Sequence, residues 1–178
     1  LDANDSKAMD MTIDFNEADM AVIPLITPTV KDATGALKGV VHVTGTIDQP
    51  EAYGTVSVRN GTMKIKTVGN ELKNIDGDLI FSGQQADFQS RISAGKGTAG
   101  LAAKVNWTGH TMTSYRAAIQ LDGLDLANEY ISGPLKGELY IAEKEGIPTL
   151  MGNINLENMK FKIPLSLETS ESTRDLGI

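Results

Sequence analysis

The chain has 178 residues, 40% of them apolar but only 5% aromatic, with 18 glycines and a formal net charge of −7 at pH 7. That acidic balance, without any Lys/Arg run, argues against a nucleic-acid or anionic-membrane footprint, which needs clustered positive charge. The absence of cysteine removes disulfides, thiol catalysis and thiolate metal sites together.

No window approaches the roughly 18 consecutive apolar residues of a bilayer-spanning helix. The opening LDANDSKAMD has neither the basic nor the apolar region of a signal peptide, so an export signal is expected outside this chain.

Met9, Met11, Ile13 and Phe15 alternate with Ala8, Asp10, Thr12 and Asp14, which predicts a strand with one apolar face. Asn16 is placed to cap a short helix from Glu17 to about Ile23, closed by Pro24 and Pro28. Further on, Leu37, Val41, Val43 and Ile47 share a face with Gly39 and Gly45, while Lys38, Val40, His42, Thr44 and Thr46 share the other. Asp48-Gln49-Pro50 breaks this strand, since proline cannot donate to a ladder. Val56 and Val58 resume the alternation, Asn60-Gly61 signals a tight turn, and Met63 and Ile65 follow.

Gly69-Asn70 and Asp76-Gly77 punctuate the next stretch. Leu79 and Phe81, then Phe88 and Ile92, then Leu101, Val105 and Trp107 place apolar groups at alternating positions. After a turn at Gly109-His110, Tyr115, Ala117, Ile119 and Leu121 do the same. The last run is Phe161, Ile163, Leu165 and Leu167, and residues 169–178 read as a disordered polar tail. The sum is about eleven short strands and one or two helical turns: an all-β, antiparallel, hairpin-rich chain.

One stretch is repeated. Shifting the numbering by 98 lays residues 35–65 on 133–163 without a gap. Gly35, Leu37, Lys38, Gly39, Pro50, Gly54, Asn60 and Lys64 fall on Gly133, Leu135, Lys136, Gly137, Pro148, Gly152, Asn158 and Lys162. Apolar positions match too, Val56 with Ile154, Val58 with Leu156 and Met63 with Phe161. Ahead of each copy, residues 13–21 (IDFNEADMA) resemble 119–127 (IQLDGLDLA), here at an offset of 106. Residues 1–168 are therefore expected to form a single β domain built from two units, roughly 8–110 and 113–168, the second cut short. That truncation suggests a piece of something longer.

Gly95-Lys96-Gly97-Thr98-Ala99-Gly100 matches G-x-G-x-x-G, but a dinucleotide site needs a helix after the turn and LAAKVNWT alternates like a strand. His42 lies on a polar strand face and His110 in a turn, neither with a nucleophile or second histidine at motif spacing. Asp76-Gly77-Asp78 offers too few oxygens for calcium. Asn106-Trp107-Thr108 fits a glycosylation sequon, yet Trp107 belongs to an apolar face. No enzyme constellation, metal site or cofactor site survives. The apolar face remains, and its plain reading is an ordinary sandwich core.

The order strand, short helix, then Gly35, Leu37, Gly39, Val41, Val43, Gly45, Thr46, Pro50, Gly54, Val56, Val58, Asn60 and Gly61 resembles the TamB family of translocation and assembly module proteins, relatives of the AsmA-like bridge proteins. Residues 72–79 (LKNIDGDL), Phe81 and Gly95-Lys96-Gly97 fit as well. The resemblance is strongest from Ile13 to Trp107 and weaker in the second copy, where Gly45-Thr46 becomes Glu143-Lys144. It implies that the chain is a C-terminal fragment of such a protein. The implied fold is a long curved antiparallel sheet, an open half-pipe or β-taco with an apolar concave wall. It further implies a periplasmic protein tethered to the inner membrane by a segment absent here. Phospholipid movement to the outer membrane and an outer-membrane barrel partner of the TamA or BamA type are also implied.

The wall expected to line a lipid groove is Leu37, Val41, Val43, Ile47, Val56, Val58, Met63, Ile65, Leu79, Phe81, Phe88, Ile92, Leu101, Val105, Trp107, Ile119, Leu121, Ile154, Leu156, Phe161 and Ile163. Val58→Arg or Leu101→Arg is expected to block transport while sparing the polar face. The alternative is an outer-membrane protein assembly factor whose exposed sheet edge captures client strands. A membrane barrel would want aromatic girdles, and one Trp with four Tyr is too few. An isolated piece with free edges is also expected to be able to pair edge to edge as a homodimer.

Overall fold

The computed structural model describes residues 7–66, 69–144 and 147–162. Alternating polar and apolar residues extend the backbone into ten antiparallel strands, all in one unclosed sheet. They are β1 (Met11–Asp19), β2 (Val30–Gly45), β3 (Pro50–Ile65), β4 (Glu71–Gly83), β5 (Gln85–Ala94), β6 (Gly97–Thr108), β7 (Thr111–Ala127), β8 (Ile131–Lys144), β9 (Ile147–Asn155) and β10 (Lys160–Phe161). Strands β1 to β8 are neighbours in chain order, and the far side of β8 is shared by β9 and β10. Ile163, Leu165, Leu167 and the tail 169–178 lie outside the described residues.

The strands are longer and fewer than the turn signals suggest; β2 and β3 run 16 residues each and β7 17. Asn60-Gly61 is a bulge inside β3 and not a turn. Asn60 takes φ 53°, and the register with both β2 and β4 shifts around it. Asp76-Gly77 likewise lies inside β4, where an Asp76 carboxylate oxygen accepts the Asn60 N–H at 2.9 Å. Pro50 opens β3 at its first position, where a missing donor is tolerated. The expected hairpins at Gly95-Lys96 and Gly109-His110 are present.

The helical segment also differs. Strand β1 absorbs Glu17 as a bulge with φ 60° and continues to Asp19, which takes the capping role assigned to Asn16. The Asp19 carboxylate accepts the Ala21 N–H at 2.9 Å and starts a 3-10 turn, Met20–Val22, followed by a one-turn helix α1, Ile23–Ile26. Pro24 sits in the first turn of α1 instead of closing it, since a first-turn residue has no N–H partner to lose.

The two copies share backbone geometry as well as sequence. Glycines 35, 39 and 54 have φ of 132°, 152° and 135°, and their counterparts 133, 137 and 152 have 145°, 140° and 142°. Asn60 at 53° matches Asn158 at 56°, and Glu17 at 60° matches Gly123 at 66°. Ladder pairs coincide too: Val41 opposes Gly54 as Leu139 opposes Gly152, and Ala33 opposes Met63 as Ile131 opposes Phe161. Strands β9 and β10 are thus the two halves of a second β3.

Contacts between strands that are not neighbours show the sheet to be curled. In a flat sheet β3 and β6 would lie three spacings, about 14 Å, apart. Instead the Trp107 indole N–H on β6 donates to the Pro50 carbonyl of β3 at 3.3 Å. At the opposite end the Asn70 amide, before β4, donates to the Asp125 carbonyl of β7 at 2.9 Å. Met20, Val30, Ala33, Val58, Leu72, Ile75, Ala94, Ala99 and Leu124, drawn from β2 through β7 and the 3-10 turn, pack into one buried cluster at that end. The apolar side is therefore the inside of the curl, and Met20, 2% exposed, stoppers one end of it.

Candidate functional site

Cross-strand partners share a face, so the register sorts the side chains without ambiguity. One row across the sheet reads Phe15–Gly39–Val56–Leu79–Phe88–Ala103–Ala117–Ile141–Leu150, and a second reads Leu101–Ile119–Leu139–Gly152. The next residues along, His42–Tyr53–Ser82 and Asp78–Gln89 among them, form the opposite, polar face.

Of the proposed wall, Leu37, Val41, Val43, Val56, Val58, Met63, Ile65, Leu79, Phe81, Phe88, Ile92, Leu101, Val105, Trp107, Ile119, Leu121 and Ile154 all stand in strands on the apolar side. Ile47 does not join them: it is 52% exposed in the β2–β3 turn. Leu156, just beyond β9, and Phe161, in β10, are 52% and 65% exposed at the margin. Ile163 lies outside the described residues. Val41, Val56 and Val58 are buried, whereas Leu79, Phe88, Leu101, Ile119 and Leu121 are half-exposed.

Other apolar residues on this side escaped strict alternation. Leu72 lies across a bulge, marked by Asn74 at φ 49°, from Ile75 and Leu79, which share one parity, and Leu124 follows Leu121 across the Gly123 bulge. Each bulge adds one residue and resets which parity points inward. The available signal was the match of Gly123 to Glu17 within the repeat. Leu139 and Ile141 were legible as the counterparts of Val41 and Val43.

The polar face carries ordinary surface electrostatics. The Asp78 carboxylate accepts from the Ser57 hydroxyl at 2.5 Å and the Arg59 guanidinium at 2.7 Å, which together hold it below the usual Asp value. Lys38 reaches Glu17 at 2.9 Å and lowers its carboxyl in the same way. A shallow concavity of about 630 Å³ crosses this face where Gly100, Ala102 and Ala118 lie low between Arg59, Arg91 and Tyr140. A second, of about 450 Å³, adjoins it beside Lys104 and Arg116.

Among the described residues no three His, Asp or Glu side chains are grouped to hold a metal. His42 exchanges a 3.0 Å hydrogen bond with Thr12 on the exposed face, and His110 is in an exposed turn. Asp76 and Asp78 are engaged with Asn60 and Arg59, and Asn106 donates to Ser114 at 2.9 Å. No described helix is long and apolar enough to cross a membrane.

One curled sheet carries apolar side chains on its inner face and polar ones on its outer face. The model of the TamB C-terminal domain family matches residues 2–157, and the chain belongs to that family. No curated protein and no solved structure matches it. TamB proteins are envelope proteins of a transport and assembly system, non-enzymatic, and work with TamA-type partners.

Proposed function

We propose that the apolar inside of the curl conducts phospholipid acyl chains across the periplasm between inner and outer membrane. The protein would be tethered to the inner membrane through a segment outside this chain and would deliver to a barrel of the TamA or BamA type. One observation carries this reading: inward apolar side chains continue from β1 to β9 in a single layer, with no second sheet over them among the described residues.

Each methylene removed from water against such a wall contributes about 0.8 kcal/mol, so ten contribute about 8 kcal/mol. A charged headgroup stays outside, because burying it unpaired costs several kcal/mol. Hydrophobic contact is non-directional, so successive strands offer similar free energies and a chain can slide without a catalytic group. The half-exposed residues Leu79 and Phe88 of one row and Leu101, Ile119 and Leu139 of the next line the path that needs least rearrangement.

Val58 is 7% exposed and packed in the end cluster, so Val58→Arg tests stability instead of transport. Leu101→Arg is the discriminating substitution, with Gln120→Arg as its polar-face control. Photo-crosslinkers at Leu101 and Ile119 should capture phospholipid, and those at Gln120 and His42 should not. Equal lipid labelling on both faces would defeat the proposal.

A further inference from the structure

The two rims of the curl are held by different means. On the Met20 side a buried apolar cluster ties β2 through β7 together, and the Asn70 amide adds its bond to Asp125. The other rim is formed by the β2–β3, β4–β5 and β6–β7 turns, and no member of that cluster lies there. Polar contacts hold it instead. The Trp107 main-chain N–H donates to the Gln84 carbonyl at 3.0 Å, and the Gln84 amide donates to the exposed Gln49 amide oxygen at 3.2 Å. The Trp107 indole N–H then donates to the Pro50 carbonyl, next to Gln49, and closes the ring of contacts. Gly109 comes up beside Asp48 at the same place, where a Cβ on Gly109 would stand 2.8 Å from the Asp48 carbonyl oxygen. Among the described residues no ladder joins β3 to β6.

Trp107 stands on the inner side of β6, so its ring crosses the inside of the curl, past the ends of β4 and β5, to reach β3. It bars the way from this rim to the half-exposed Leu79, Phe88 and Leu101. Parting this rim breaks hydrogen bonds made by side chains at the surface and leaves every strand ladder intact. Parting the other would bring Met20, Val58, Leu72 and Ile75 out of the cluster into water. Local opening starts where the fewest buried contacts are lost, which is the turn side. We infer that the Trp107–Pro50 bond is a latch: when the indole lets go, the β2–β3 and β6–β7 turns part and an acyl chain enters the trough between them. The inference rests on the lipid reading of the inner face and adds to it the side of entry and the residue that controls it.

The chain has no cysteine, so a pair of introduced thiols can lock this rim. Asp48→Cys with His110→Cys, both at exposed turn positions, is joined across the curl by a short bismaleimide that carries a cleavable disulfide. Thr34→Cys with Thr62→Cys, a polar-face pair on the adjacent strands β2 and β3, carries the same linker without spanning the curl. The probe is dansyl-undecanoic acid, whose emission rises as it leaves water, mixed with the full chain and followed by stopped flow. Uptake should be more than about tenfold slower in the locked protein, return to the parent rate when the linker is cut, and stay at that rate in the Thr34–Thr62 control. Trp107→Phe, which loses the indole donor, should take up the probe about two- to tenfold faster, the factor set by one hydrogen bond. Equal rates in the locked and cut forms, or an unchanged rate in Trp107→Phe, overturn the latch and leave the lipid reading standing. No uptake in any form overturns the lipid reading and the latch with it.

Discussion

Met20→Ala should loosen the closed end of the trough without touching its open rows. Met20 is 2% exposed, and its sulfur lies 3.0 Å from where a Cβ would stand on Gly35 and 3.1 Å from that of Gly61. Two of its neighbours therefore have no side chain that could swing into the space left behind. Truncating a buried Met to Ala costs about 2–5 kcal/mol, the upper values where a sealed void remains. The cluster is backed by a single sheet and its members can partly relax into the space, so about 2–3 kcal/mol is expected. For a domain of this size each kcal/mol moves the melting temperature by about 2–4 °C, giving a drop of about 4–12 °C. Circular-dichroism melts and urea titrations measure it, and the urea midpoint should fall with an unchanged slope. Met20→Leu, nearly volume-conserving, should cost under about 1.5 kcal/mol. A shift below about 2 °C for Met20→Ala would refute the view that this cluster holds the curl closed.

Glycine positions should separate sharply. Gly54→Ala, at φ 135° with a Cβ 2.0 Å from the Val40 carbonyl oxygen, should fail to keep a native melt, whereas Gly100→Ala, with nothing within 4 Å, should be neutral or raise stability by up to about 1 kcal/mol in the same assay. Trp107→Phe removes the indole donor to Pro50 and should cost about 0.5–1.5 kcal/mol, read as a lower urea midpoint. Asp78, whose carboxyl is held below its usual 3.8, contributes stability above that value and loses it as pH falls through the lowered one. Asp78→Asn should therefore melt lower than the parent at pH 7, with the gap closing in acid; a gap constant from pH 7 to pH 2 would contradict this.

The strand rows were legible in the sequence wherever the chain ran straight. Leu79 with Phe81, and Leu101 with Val105, keep one parity between bulges, and the register places them together on the inner side. The signal at Asn60-Gly61 was ambiguous, because φ near +50° serves a bulge as well as a turn, and Asp76-Gly77 runs on as strand inside β4. What resolves the ambiguity is whether a partner strand continues past the site, which is a long-range fact. The same limit hid Leu72 and Leu124, whose inward direction follows from bulges.

A single open sheet was implied by the family resemblance alone; period-two alternation and turn chemistry determined by themselves that this is an all-β, antiparallel, hairpin-rich chain, and the 98-residue offset marked a repeated stretch. These are local consequences of backbone sterics and of side chains that alternate across a strand. Only the tertiary structure decided how far the sheet curls, and so which wall residues are sealed around Met20 and which stay half-open. Curl comes from summed strand twist, bulges and contacts such as Trp107 to Pro50, between residues 57 positions apart, and no local pattern encodes it.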